Sequence, residues 1–103
     1  MKYKVRTEGI YTVLEFTGDV DLACSPDARK QMLQYLEDGR PLLVDLSAVH
    51  HIDSSGVAVL VEGHITAAKK GLHFGLAAPS RAVMDVLRLA RLDGILTLHR
   101  SGQ

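Results

Sequence analysis

Leu42-Leu43-Val44-Asp45-Leu46, followed by Ile52-Asp53-Ser54-Ser55-Gly56-Val57, is the stretch that decides the fold. The first five residues form a short, mostly apolar run that reads as a central strand buried on both faces. The polar Asp53-Ser54-Ser55-Gly56 segment then leads into Val57 to Lys70, closed by Gly71. The β-branched residues of that segment permit a strand. Its length, the polar cap before it and the Lys69-Lys70-Gly71 ending favour a helix. A buried strand followed at once by a capped helix is half of a βαβ unit, and the neighbouring segments supply the rest.

Upstream, Tyr11 to Phe16 is rich in β-branched and aromatic residues, preceded by Gly9 and expected to end at Gly18. The residues around Tyr3 and Val5 suit a hairpin partner at a sheet edge. Ser25-Pro26-Asp27 reads as a helix start, with Ser25 as the cap, and Ala28, Met32, Tyr35 and Leu36 share one face. Gly39 and Pro41 stop it. Downstream, Leu72 to Ala77 reads as a strand, and Ser80 caps a helix with Val83, Val86, Leu87 and Ala90 as its apolar stripe. Arg81, Asp85 and Arg88 lie on the opposite face at ion-pair spacing. Ile95 to Leu98 is a last strand. Two strands followed by alternating helices and strands predict an α/β domain: a mixed sheet of about five strands, with right-handed crossovers and flanking helices.

The chain has 103 residues, 47% of them hydrophobic and 23% charged, which suits one domain with a real core. The domain is expected to span residues 1–100, with 101–103 as a loose tail. Twelve basic side chains balance twelve acidic ones, so the basic excess of a duplex-binding protein is missing. The single cysteine, Cys24, offers no internal disulfide or cysteine metal cluster. No segment reads as a signal peptide or membrane span, so the expectation is a cytoplasmic protein without direct membrane insertion.

Asp53-Ser54-Ser55-Gly56 falls at the carboxyl end of a buried strand, a usual place for sites in α/β sheets. Ordinary helix capping explains aspartate and serine there. The functional reading is a phosphorylated serine: a phosphate on Ser54 adds about −1.5 to −2 charges, and free amides at the helix start are available to its oxygens. Gly18-Asp19-Val20-Asp21 reads as an acidic loop on the same rim. Enzymatic readings find little support. No Gly-x-Ser-x-Gly elbow, phosphate-binding Gly-Lys loop or His-Glu-x-x-His pattern is present. His50 and His51 are neighbours in an extended segment, and His64, His73 and His99 are scattered, so no metal or cofactor is expected. A response-regulator receiver is a rival phospho-switch, but the opening strand pair argues against it.

Taken together, Gly18-Asp19-Val20-Asp21, Val44-Asp45-Leu46-Ser47, Ile52-Asp53-Ser54-Ser55-Gly56-Val57 and the segment from Val86 to Ile95 resemble a STAS domain, the sulfate transporter and anti-sigma factor antagonist family. The resemblance covers nearly the whole chain. It implies a non-enzymatic partner-switching protein that, unphosphorylated, binds an anti-sigma factor. That factor is also a serine kinase of the histidine-kinase-like ATPase class. It modifies the serine after the motif aspartate, here Ser54, and a PP2C-type phosphatase reverses the change. Asp19, Asp21, Asp53, Ser54, Ser55, Gly56 and Val57 match positions at or near the docking surface. The resemblance also implies a further short helix after the last strand, for which a chain ending at Gln103 leaves little room. STAS domains serve as well as cytosolic subunits of ABC-type lipid transport complexes, where permease and ATPase subunits would be the partners.

Overall fold

The computed structural model describes residues 1–94, 96, 98 and 99. Its elements are β1 (Lys2–Glu8), β2 (Tyr11–Val20), α1 (Ser25–Glu37), β3 (Leu42–Ile52), α2 (Ser54–Lys70), β4 (Phe74–Ala77), α3 (Arg81–Leu89) and β5 (Leu98–His99). The strands form one mixed sheet in the order β1-β2-β3-β4-β5, with β1 antiparallel to β2 and the other pairs parallel. This is the α/β architecture predicted from the sequence. Ile95 and the tail at 101–103 lie outside the described residues.

The middle strand explains the core. Leu42, Val44 and Leu46 point to one face and join Leu14 and Phe16 of β2. Onto that cluster α1 lays Ala28, Met32 and Leu36, each with 0% exposure. Burying one such leucine contributes about 1.5–3 kcal/mol. Leu43 and Asp45 point to the other face and are also buried, as a strand covered on both sides requires. Gly63 of α2 lets that helix approach Met32 and Phe74 closely; a Cβ there would press on both side chains.

Three local expectations are corrected. Gly18 does not end β2. Its φ of +98° accompanies an irregular register, and the strand continues to Val20 opposite Ile52. Gly18, Asp19 and Val20 are therefore strand residues, and only Asp21 opens the loop. Ser25 is not the cap of α1: it is buried inside the first turn, and Cys24 occupies the cap position without a side-chain hydrogen bond. The polar work passes to Asp21, whose carboxylate accepts from the Ala23 and Cys24 amides. Finally, Arg81, Asp85 and Arg88 are exposed but form no ion pair among the described residues.

β3 outruns its neighbour. Asp45 pairs with Ala77, the last residue of β4, so Leu46 to Ile52 has no β4 partner. Helix α3 takes up that position. The Ser80 hydroxyl donates to the Val49 carbonyl at 2.7 Å and accepts from the Val83 amide, capping the helix as expected and anchoring it to β3. Val83 and Leu87 then enter the core.

Candidate functional site

The parallel pairing of Val20 with Ile52 brings the ends of β2 and β3 to one rim, as the sequence implies. The chain turns there into α2 through Asp53, which has extended backbone and caps the helix. Gly56 explains why the motif ends in glycine. A Cβ at this position would collide with the Val20 carbonyl oxygen and lie 2.6 Å from Ile52 Cγ1. Only the bare backbone lets the first turn of α2 sit against the end of β2.

Asp53 is saturated with donors. Oδ1 accepts from the Ser55 amide at 2.9 Å, the Gly56 amide at 3.1 Å and the Ser55 hydroxyl. Oδ2 accepts from the Leu22 amide at 3.0 Å, across the turn that leads into α1. The Ser55 hydroxyl, followed by the Gly56 amide, holds this carboxyl below the usual aspartate range. Partial desolvation opposes the shift, and the Leu22 and Ser55 amides add to it. The amides of Ser55 and Gly56 are thus already occupied. Two of the amides at the helix start, expected to be free for an anion, are filled by the motif's own aspartate.

The two serines differ sharply. Ser55 is half-buried, with its hydroxyl spent on Asp53. The Ser54 side chain is exposed and makes no hydrogen bond among the described residues. Ser54 borders a shallow apolar groove lined by Val57, Val86, Leu89 and Ala90, in which Leu89 is 89% exposed. Leu22, whose amide bonds to the neighbouring Asp53, is 75% exposed. Asp19 is exposed and Asp21 half-buried on the same rim, whereas Gly56 and Val57 are buried, Val57 keeping an edge in the groove. Every predicted site residue therefore falls on one corner of the molecule. Sequence reasoning missed Leu22 and Leu89. The signal for Leu22 was a large apolar residue next to Asp21 in a polar turn.

No helix among the described residues is long and apolar enough to cross a membrane, and no group of three or more metal-binding side chains is assembled among them.

The family model described as "Mlab, STAS domain" matches residues 3–98, and the chain belongs to the STAS domain family. Solved structures agree on the fold. An anti-sigma factor antagonist from Mycobacterium paratuberculosis superposes with a TM-score of 0.86 at 25% identity, covering 95% of this chain and 84% of that one. SpoIIAA in its unphosphorylated form gives 0.81 at 15% identity, covering 99% and 90%. The Bacillus cell fate determinant SpoIIAA in the phosphorylated form gives 0.75 at 15%, covering 99% and 93%.

Proposed function

We propose that this protein is a non-enzymatic anti-sigma factor antagonist, switched by phosphorylation of Ser54. Unphosphorylated, it binds an anti-sigma factor that is also a serine kinase of the histidine-kinase-like ATPase class; phosphorylated, it is released, and a PP2C-type phosphatase resets it. The observation that carries this reading is the state of the Ser54 hydroxyl, exposed and uncommitted while its neighbour Ser55 is tied to Asp53. The anti-sigma factor antagonists among its structural relatives support the choice of partner.

The mechanism is electrostatic. A phosphate on Ser54 adds about −1.5 to −2 charges. The nearby amides of Ser55 and Gly56 already donate to Asp53, so they do not absorb that charge. It faces outward, beside exposed Asp19 and half-buried Asp21, where a docked partner must meet it. A loss of about 3 kcal/mol lowers affinity roughly a hundredfold.

The test is incubation with candidate kinases of this class and ATP, followed by mass spectrometry of residues 52–70 and calorimetry with the kinase that reacts. Phosphate is expected on Ser54 alone. Ser54→Ala should bind like the unmodified protein and resist release, and Ser54→Asp should bind poorly. Phosphate on Ser55, or equal binding by both variants, overturns the reading. Co-purification with a membrane permease and its ATPase, without a kinase, would instead favour the lipid-transport subunit.

A further inference from the structure

We infer that Asp53 is a positioning residue, latching the Leu22 turn to the start of α2 so that the Leu22 side chain meets the kinase as an apolar anchor beside Ser54. The identity of the partner rests on the function proposed above; the latch itself rests on hydrogen bonds.

Capping needs only one carboxylate oxygen, and Oδ1 does all of it through Ser55 and Gly56. Oδ2 is left for a single donor, the Leu22 amide, 31 residues away in the chain. The rest of the turn is organised from within by Asp21. Its carboxylate takes the Ala23 and Cys24 amides, and its carbonyl takes the Cys24 and Ser25 amides. Among the side-chain bonds of the described residues, Asp53 alone ties this turn to α2.

The turn holds a leucine outward at 75% exposure, next to the residue that precedes Ser54. A large apolar side chain on a hydrogen-bonded backbone is pre-organised, so a partner that covers it loses less freedom on docking than with a mobile loop. A kinase has to bring the terminal phosphate of ATP to the Ser54 hydroxyl, and doing so covers the adjoining turn. Asp53, with both oxygens engaged, is poorly suited to serve as a charge offered to that partner.

Asp53→Ser separates the two duties. A serine hydroxyl still caps the helix, but its one oxygen does not also reach across to Leu22. The probe is the kinase that phosphorylates Ser54 in the experiment above. In Asp53→Ser, exchange of the Leu22 amide should quicken about tenfold or more while the interior amides of α2 stay protected. Affinity for the kinase should fall about tenfold, with a similar fall in Leu22→Ala. The double variant should lose no more than either single one, because both remove the same contact. Additive losses, or an unchanged Leu22 amide, overturn the proposal. If no kinase modifies Ser54, the functional reading fails, and the exchange measurement still decides the latch.

Discussion

Arg6 Nη2 donates to Asp45 Oδ2 at 2.9 Å, so a guanidinium on the exposed edge strand reaches across β2 to a carboxylate on the middle strand. The same guanidinium meets Glu15 on β2 at 2.9 Å and Glu8 at 3.0 Å. Asp45 is a side chain with only 9% exposure on the sheet face away from the main core cluster. It survives there because Arg6, the Ser47 amide and the Ser47 hydroxyl all bond to it.

Removing the cation should therefore cost more than an ordinary surface pair. Arg6→Ala strands the Asp45 charge and is expected to destabilise the fold by about 1–3 kcal/mol. Glu8→Ala removes only an exposed partner and should cost under about 1 kcal/mol. Urea denaturation of the two variants checks the contrast; equal midpoints would show that Arg6 does not support Asp45.

Acid should weaken the fold through two aspartates. Burial pushes Asp45 upward, but Arg6 and the Ser47 amide and hydroxyl outweigh it and hold the group below its ordinary value. Asp53 is lowered as well. A depressed folded-state value means that the unfolded chain binds more protons, so stability rises with pH in that window. The contribution is complete above the unfolded value of about 3.9 and disappears as pH falls through the folded values beneath it. Urea midpoints measured from neutral pH down into this window should fall, and Asp45→Asn should flatten the fall while lowering the plateau.

Two glycines in one helix should respond differently to alanine. At Gly56 the added methyl meets the Val20 carbonyl, which is backbone and cannot turn aside. At Gly63 it meets the Met32 sulfur and the Phe74 ring, which are side chains. Overpacking costs about 1–3 kcal/mol, and the helical preference of alanine returns up to about 1 kcal/mol at an interior position. Gly56→Ala is expected to be the more destabilising in thermal melts.

The adjacent serines should also separate. Ser54→Ala removes an exposed hydroxyl with no bond and should change stability by less than about 0.5 kcal/mol. Ser55→Ala deletes the hydroxyl that donates to Asp53 and should cost about 1 kcal/mol. Calorimetric unfolding of the two proteins measures the difference directly, and equal losses would show that the Ser55 hydroxyl adds nothing to the cap.

Much of the architecture could be read from local pattern. The β-branched and aromatic residues of Tyr11 to Phe16, the apolar Leu42 to Leu46 run and the stripe from Val83 to Leu87 each announce their element. So does the polar break at Asp53, which marks the start of α2. What escaped had distant causes. β3 extends to Ile52 through Ala48, His50 and His51, which carry no strand signature; Ala48 and His51 pair with β2, and His50 falls at the register shift between them. Gly18 looks like a terminator, yet the irregular register absorbs it. Ser25 does not cap α1 because it is buried in the first turn; Cys24 takes the cap position with no side-chain bond, and Asp21 holds the turn before it. The clustering of the candidate site was legible from topology, whereas the bonds from Asp53 to Leu22 and from Arg6 to Asp45 join residues far apart in the chain.

The overhang of β3 beyond β4 leaves the placing of α3 to the short Ala77–Ser80 junction. Ala78 there has a φ of +45° and precedes Pro79, while Ser80 fastens α3 to Val49. Inserting or deleting a single residue in this short span would slide α3 along the unpaired length of β3 and redraw the wall formed by Val86 and Leu89. The groove beside Ser54 would change shape that way without any change in the Asp53-Ser54-Ser55-Gly56 segment itself.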